Sequence, residues 1–359
     1  MEYPFSRFMR KKPNIKLAVF EKRKIDHIQL ALDPQNQAQH HSGLEHIQLL
    51  HNALPEINFD AISLTTKTLN KTIKTPFLVS SMTAGHICAN KINQRLAKAC
   101  ELRGWAMGVG SQRRELIAPQ EKASWASLRR LAPHILLFGN IGLSQLIRSK
   151  TTDIQRLVDA LEADAMIIHC NPLQECLQPE GTPFFKGGIA AIKKLCKTLS
   201  VPVIVKETGC GFSANTLRQL NELPIAAVDI SGLGGTHWGR IEGARSPHQH
   251  TLAKSAKTFH DWGISTVDAM HAAIEVKPHY EIWASGGIRS GLDAAKLIAM
   301  GAVLVGYAKP LLAAALKGLN ELLALMDTYE YELKIALFCT GNTTIKRFKE
   351  SHVWRLKTM

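Results

Sequence analysis

Eight short apolar runs recur along the chain, and each ends in polar or glycine-rich residues. Each begins as a continuous stretch of apolar side chains, which is typical of a parallel β-strand buried on both faces. Segments with helical periodicity separate most of them. The pattern therefore predicts an α/β fold, a (β/α)8 TIM barrel whose site lies at the carboxyl ends of the strands. The runs cover residues 75–83, 105–112, 134–141, 165–172, 202–209, 226–235, 281–288 and 302–310.

The remaining segments predict one structural domain with additions. A barrel of about 250 residues plus extensions accounts for nearly all of a chain of this length. We expect residues 1–74 to form an N-terminal extension and residues 75–359 to form the barrel. The polar stretch 236–251 is predicted as an insertion after strand six, beside the site, and is a candidate mobile lid. Helices are predicted over 35–48 (flanked by loop), 90–103, 153–162, 186–199 and from Leu311 onward.

Charge and composition narrow the classes of partner. The chain carries 44 Lys and Arg against 30 Asp and Glu, a net charge of +14. Basic residues are scattered and not interleaved with aromatics, so we expect anionic small ligands and no nucleic acid. No apolar run reaches the roughly 18 residues that suggest a membrane span, so no membrane association is expected. The 7 cysteines form no Cys-x-x-Cys pair, which favours reduced thiols in a cytoplasmic protein.

Glycine-rich residues after the last two runs predict a phosphate site. Residues 285–289 (SGGIR) end the seventh run, and Gly306, Tyr307 and Ala308 end the eighth. Glycines at these positions let backbone N–H groups approach an anion, and barrels often bind phosphate at these two loops. The planar guanidinium of Arg289 adds a group that matches phosphate geometry.

Two further strand ends carry side chains suited to chemistry. Lys206 ends the fifth run and is predicted to point into the cavity, where it forms a Schiff base, holds an anionic ring or pairs with Glu207. Residues 169–175 (HCNPLQE) end the fourth run. Glu175 is a candidate Mg²⁺ ligand, and His169 is a candidate phosphate donor or acid/base group.

The first three runs end in hydroxyls and amides, without a strong acid or base. Ser81, Met82 and Thr83 end the first run, Ser111 ends the second and Asn140 ends the third. Such groups suit hydrogen bonding to a polar heterocycle. With the lysine of the fifth run and the phosphate site, they predict a pocket for FMN, whose ring lies across the barrel mouth.

At these residues the chain resembles the type 2, FMN-dependent isopentenyl-diphosphate delta-isomerases. The similarity runs from about residue 22 to residue 308, and the order of the signatures is more specific than any one of them. Ala84 stands where the family usually has glycine, and its methyl group disfavours positive φ. The signatures are Arg23-Lys24-x-Asp26-His27 and residues 81–83 (SMT), 110–113 (GSQR), 169–175 (HxNPLQE), 206–207 (KE), 234–236 (GGT) and 285–289 (SGGIR).

The resemblance implies interconversion of isopentenyl and dimethylallyl diphosphate by a 1,3-proton shift. It also implies FMN, Mg²⁺ on Glu175, NADPH as flavin reductant and a cytoplasmic homo-oligomer, often a tetramer. The implied catalytic residues are Gln174, near the isoprenoid carbons, and His169. The implied substrate contacts are Arg23, Lys24, Ser111, Gln112, Arg113, His169 and Gln174. The implied FMN contacts are Ser81, Met82, Thr83, Ser111, Asn140, Lys206, Ser231, Thr236, Gly286, Gly287, Arg289, Tyr307 and Ala308.

A poorly basic alkene needs a strong acid, and the motifs offer none, so the acid/base group is expected to belong to the reduced cofactor. Two rivals stay open. Another FMN barrel would need either a His–Arg pair near strand seven, where only His279 precedes Arg289, or a cysteine after strand six, where none lies between Cys210 and Cys339. A basic nucleic-acid-binding protein would purify without flavin.

Overall fold

The computed structural model describes residues 15–82, 87–117, 123–246 and 250–357. Eight parallel strands, β4 to β11, form a closed barrel, which confirms the predicted fold. Each barrel strand falls on one of the predicted apolar runs. In chain order the strands are β1 (Ile47–Leu49), β2 (Thr66–Thr68), β3 (Lys71–Ile73), β4 (Phe77–Val79), β5 (Ala106–Gly108), β6 (Leu137–Gly142), β7 (Ala165–Cys170), β8 (Val203–Glu207), β9 (Ala227–Asp229), β10 (Glu281–Ser285), β11 (Leu304–Tyr307) and β12 (Trp354–Leu356).

Side chains inside the barrel form an apolar floor beneath a polar layer. Alternate residues of a strand share one face, so inward positions recur every second residue. The floor is a buried cluster that includes Leu78, Ala106, Phe138, Ile167, Ile204, Ala227, Trp283 and Leu304. Two residues further along each segment come Ser80, Gly108, Asn140, His169, Lys206, Asp229, Ser285 and Gly306, which we call the polar layer. The barrel mouth is therefore polar, because the inward-facing residue of each segment changes from apolar to polar or glycine between the floor and the mouth.

Helices surround the barrel, and a large apolar cluster fills the space between the strands and these helices. The helices predicted over 90–103, 153–162 and 186–199 are found at Ile87–Arg103, Thr151–Leu161 and Gly188–Thr198. None of the described helices combines the length and hydrophobicity needed to cross a membrane. The helices are α1 (Ile15–Leu32), α2 (Ile87–Arg103), α3 (Arg113–Ile117), α4 (Ala123–Leu131), α5 (Leu143–Arg148), α6 (Thr151–Leu161), α7 (Pro172–Leu177), α8 (Gly188–Thr198), α9 (Ala214–Leu220), α10 (Trp238–Arg245), α11 (His250–Thr258), α12 (Thr266–Val276), α13 (Gly291–Ala299), α14 (Lys309–Lys317), α15 (Leu319–Phe338) and α16 (Ile345–Glu350).

The segments at the two ends of the chain pair with each other outside the barrel. Strand β1 pairs antiparallel with β12, so the tail is not entirely helical. The prediction of a helix within residues 35–48 is wrong, because this stretch contains only the 3-10 turns Pro34–Asn36 and Leu44–His46 before β1. Its backbone bonds to other segments instead, as when Ala38 N donates to Gly235 O over 2.7 Å.

The predicted insertion after the sixth barrel strand contains α10 and the first two residues of α11, which continues to Thr258. Helix α10 is tied to the extension, because Arg240 Nη1 donates to Gln37 O over 2.5 Å and His237 N donates to Asn36 O over 2.9 Å. Residues of both α1 and α10 border the barrel mouth. The extension and the insertion thus form one connected wall of the site, and movement of the insertion as a lid stays a prediction.

Candidate functional site

A cavity of about 480 Å³ lies above the polar layer, at the carboxyl ends of the barrel strands. Its volume is in the usual range for small-molecule sites. The extension, the barrel loops and α10 all contribute to its wall. The predicted site residues that line it are Arg23, Lys24, Ser81, Met82, Ser111, Arg113, Asn140, His169, Gln174, Glu175, Lys206, Ser231, Thr236, Gly286, Gly287, Arg289 and Ala308.

Lys206 points into the cavity, as predicted, and its ion-pair partner is on the next strand. Its ammonium group lies 2.5 Å from Asp229 Oδ2 and 2.9 Å from Ser285 Oγ. The alternative of a pair with Glu207 is wrong, because Glu207 Oε2 instead accepts backbone N–H bonds from residues 208–211. Neighbouring residues of a strand face opposite ways, so Lys206 enters the barrel while Glu207 orders the loop.

His169 is held in one tautomer by Asn140, which lies on the neighbouring strand β6. Asn140 Nδ2 donates to Val109 O over 3.1 Å, which fixes its amide and leaves Oδ1 to accept from His169 Nδ1 over 2.8 Å. Burial, with the charges of Lys24, Lys206 and Arg113, lowers the pKa of His169 to about 3. The neutral ring therefore donates through Nδ1 to Asn140 and leaves Nε2 as the ring nitrogen available to a ligand. A role of His169 as phosphate donor or acid/base group stays a prediction.

Three cations from α1 and from the start of α3 converge on one side of the cavity. Burial, followed by repulsion from Arg23 and Arg113, lowers the pKa of Lys24 to about 7. Burial and the charge of Arg113 also lower the pKa of Arg23. Such mutual repulsion is relieved by an anion that carries several charges. This side of the cavity is therefore suited to a polyanionic group such as a diphosphate.

A second cationic group lies at the ends of strands β10 and β11. Gly286 adopts φ +106, and a Cβ there would meet Gly232 O at 2.1 Å. Arg289 braces this turn by donating to Gly234 O over 2.8 Å and to Gly287 O over 2.9 Å. Lys309, which sequence reasoning missed, lines the cavity at the N-terminus of α14. A helix N-terminus beside a lysine and an arginine favours a bound phosphate.

Comparison with known proteins identifies the family. The isopentenyl-diphosphate delta-isomerase of Legionella pneumophila (strain Lens) is 54% identical over 331 residues, which cover 92% of this chain and 97% of that protein. The chain belongs to the isopentenyl-diphosphate delta-isomerase family. The enzyme of that name from Bdellovibrio bacteriovorus is 50% identical over 338 residues, or 93% of this chain and 97% of that protein. Residues 182–355 match the FMN-dependent dehydrogenase family, which supports the FMN-dependent type.

Solved structures extend the comparison to the fold. A lactate oxidase of Pediococcus acidilactici superimposes with a TM-score of 0.67 at 16% identity, covering 93% of this chain and 92% of that one. A mandelate oxidase superimposes with a TM-score of 0.61 at 13% identity, covering 95% of this chain and 96% of that one. At such low identity the likeness shows the barrel fold alone, which this isomerase-family chain shares with the oxidases.

Two residues implied by the isomerase family do not line the cavity. Gln112 is fully buried, and its Oε1 accepts from Asn140 N over 3.1 Å, so its side chain supports the strand that carries Asn140. Tyr307 is also buried, stacks on Tyr329 with ring centroids 4.6 Å apart and donates to Ser290 O. Tyr307 follows the inward-facing Gly306, so strand alternation turns it toward the helices. Thr83 lies outside the described residues.

Gln174 lies in a buried network that the sequence motifs do not show as a unit. Its Nε2 donates to Glu242 Oε1 over 2.9 Å, and His27 Nε2 lies 2.9 Å from the same oxygen. Burial acts to raise the pKa of Glu242, but the hydrogen bond and charge of His27 and the charge of Arg245 hold it below its usual value. An ionised Glu242 therefore fixes the orientation of the Gln174 amide at the border of the cavity and, through His27, ties α1 to α10.

Glu175 borders the cavity but has partners within the protein. Its Oε2 accepts from Thr182 N over 2.5 Å, and its Oε1 accepts from Asn171 Nδ2 over 3.2 Å. Across the described ranges, no cluster of three or more His, Cys, Asp or Glu groups is arranged to hold a metal ion. A Mg²⁺ ion at Glu175 would therefore need oxygens from a bound phosphate group and water, which is a common arrangement for this ion.

Proposed function

We propose that the protein interconverts isopentenyl diphosphate and dimethylallyl diphosphate with FMN bound in the cavity. The observation that carries this proposal is a single cavity with two cationic groups. Electrostatic coupling links Lys24 to Arg23 and Arg113, and a separate coupling links Lys309 to Arg289. Two anions, a substrate diphosphate and a flavin phosphate, match this arrangement. The family membership supplies the identity of both.

The residues present fit FMN. The turn at Gly286 and Gly287 has positive φ at both residues, 106° and 78°, which only glycine adopts readily. Close packing of this turn on residues 232–234 leaves Arg289, Lys309 and the start of α14 at one end of the cavity. Lys206 offers an N–H at the polar layer that forms the base of the cavity, beside Ser285. The proposed cofactor contacts are those implied by the resemblance, with Lys309 added and the Tyr307 side chain removed.

The substrate is proposed to bind by its diphosphate on Arg23, Lys24 and Arg113. The apolar wall formed by Ile28 and Trp238 then faces the hydrocarbon and excludes water. Remote binding energy at the diphosphate positions the alkene beside Gln174. His169 is neutral and Glu242 is ionised, so neither supplies a strong acid. Reduced FMN supplies the proton-transfer chemistry when bound, with no net redox change.

The oxidase rival is disfavoured by the surroundings of strand β10. A hydroxyacid oxidase needs a histidine poised over the flavin beside an arginine. His279 is exposed at the other end of that strand, and its Nδ1 lies 2.8 Å from Asn221 Oδ1. The cavity around Arg289 therefore has no histidine from this strand to abstract a proton from a hydroxyacid.

Turnover in D₂O tests the proposed reaction. Protein loaded with FMN and reduced before mixing is expected to convert isopentenyl diphosphate to dimethylallyl diphosphate with deuterium in the new methyl group. The reason is that the added proton comes from an exchangeable group rather than from another carbon of the substrate. Mass spectrometry of the product measures the label, and the same protein with oxidised FMN is the control. Equal turnover with oxidised FMN, or an unlabelled product, contradicts the proposal.

A Mg²⁺ titration tests the assignment of Glu175. Glu175→Gln removes one anionic ligand but keeps an amide of the same size, so the Mg²⁺ concentration for half-maximal activity is expected to rise at least about tenfold. The visible flavin spectrum serves as internal control and should not change. A wild-type Mg²⁺ response shows that the ion is held elsewhere. NADPH as reductant, a cytoplasmic location and a tetramer stay expectations.

A further inference from the structure

Within the polar layer, Lys206 and Asp229 carry opposite charges, and the proposed binding roles use only the lysine. Asp229 is 1% exposed, and Lys206 is 6% exposed. The two residues are direct partners in the pairing of β8 with β9. The strand register itself therefore places the carboxylate beside the ammonium group.

Hydrogen bonds close a ring among three strands. Lys206 Nζ lies 2.5 Å from Asp229 Oδ2 and donates to Ser285 Oγ over 2.9 Å. Ser285 Oγ in turn donates to Asp229 Oδ1 over 2.7 Å, and Ser231 N donates to the same oxygen over 3.2 Å. Both carboxylate oxygens are thus satisfied, and the ammonium position is fixed from two sides.

The hydrogen bonds to Asp229 and Ser285 leave Lys206 with one N–H donor for the cavity. An ammonium group has three N–H bonds, and Asp229 and Ser285 take one each. Lys206, Ser231 and Ser285 border the cavity, whereas Asp229 lies behind them. A ligand above Lys206 therefore receives one directed hydrogen bond from an ion pair whose net charge is zero.

We infer that Asp229 is a positioning residue that aims Lys206 at the flavin and cancels its charge. This inference rests on the proposed FMN site. Charge beside the pyrimidine edge of a flavin tunes its electronics. An uncompensated ammonium group there stabilises the negative charge of the reduced ring and withdraws electron density. The Lys206–Asp229 pair keeps the hydrogen bond without that withdrawal, so the reduced ring stays electron-rich.

The reduction potential of bound FMN tests this role without measuring isomerisation. In Asp229→Asn the shape is kept and the ammonium charge is uncompensated. We expect the ratio of reduced to oxidised binding constants for FMN to rise at least about tenfold, a positive shift of about 30 mV for a two-electron couple. Sulfite, whose addition to oxidised flavin also places negative charge on this edge, should bind at least about tenfold more tightly. Dye-coupled redox titration and loss of visible flavin absorbance measure the two effects.

Ser285→Ala is the matched control, because it breaks the hydrogen-bonded ring and leaves both charges. We expect its ratio of reduced to oxidised FMN binding constants to stay within about threefold of the wild-type ratio. An unchanged potential in Asp229→Asn, or an equal shift in both variants, overturns the inference. If Asp229→Asn does not fold, Asp229→Glu decides the question. Asp229→Glu retains the negative charge, so a wild-type potential supports the inference. A rise of about tenfold in the ratio of reduced to oxidised FMN binding constants overturns it.

The same measurements separate this inference from the proposed function. Wild-type protein that binds no FMN contradicts the proposed function itself. Wild-type protein that binds FMN, together with an unshifted potential in Asp229→Asn, contradicts only the role of Asp229.

Discussion

Lys206→Ala is expected to abolish FMN binding and to lower the free energy of unfolding by about 3–5 kcal/mol, the usual cost of leaving a buried charge without its partner. Asp229 stays in the barrel with only Ser285 Oγ and Ser231 N as donors. The ligand also loses its hydrogen bond at the barrel mouth. Urea denaturation of the flavin-free protein measures stability, and the flavin absorbance left after gel filtration measures binding.

The double variant Lys206→Met/Asp229→Asn separates the two effects. Removing both charges replaces the buried ion pair by neutral groups of similar volume, so most of the lost stability should return. FMN binding should stay weak, because the directed N–H is still missing. Wild-type FMN affinity in Lys206→Ala would show that the lysine does not hold the flavin. Equal stability of the single and double variants would show that the unpaired carboxylate is not the cause.

The barrel could be predicted from the sequence because each strand is a continuous apolar run. Burial on both faces demands such runs, and the first polar residue after each one marks the mouth. Lys206 could be placed in the cavity on that basis. The same rule fails for Tyr307, because an apolar or aromatic residue at a strand end gives no sign of its face. Only the inward position of Gly306 assigns it to the helix layer.

The partners of the site residues could not be predicted, because they depend on register and on long-range packing. Asp229 meets Lys206 only through the pairing of two strands 23 positions apart in the chain. Glu242 meets Gln174 across 68 positions and His27 across 215. Period two could have pointed to Asp229, since it is two residues beyond the inward-facing Ala227. No local pattern points to Glu242, whose helix begins after the sixth strand.

Gly286→Ala is expected to abolish FMN binding and to cost at least about 3 kcal/mol of stability, from strain and overpacking together. The new Cβ would lie 2.1 Å from Gly232 O and 2.7 Å from Gly232 N. These are backbone atoms of the loop that follows strand β9, so they cannot yield as a flexible side chain does. The turn must move away, and Arg289 loses its two carbonyl partners.

Gly301→Ala isolates the cost of backbone conformation. Gly301 has φ +113, close to the +106 of Gly286, but a Cβ there meets nothing within 4 Å. Its expected cost is about 1–3 kcal/mol from the positive φ alone. FMN affinity should stay within about threefold of wild type, because the residue lies between α13 and β11, at the end of the barrel opposite the cavity.

Calorimetric titration of flavin-free protein with FMN compares the Gly286→Ala and Gly301→Ala variants. Equal FMN affinities of Gly286→Ala and Gly301→Ala would show that the close contact of Gly286 with Gly232 does not shape the phosphate end of the cavity. Loss of FMN only in Gly286→Ala ties flavin binding to the 2.1 Å approach that a methyl group prevents.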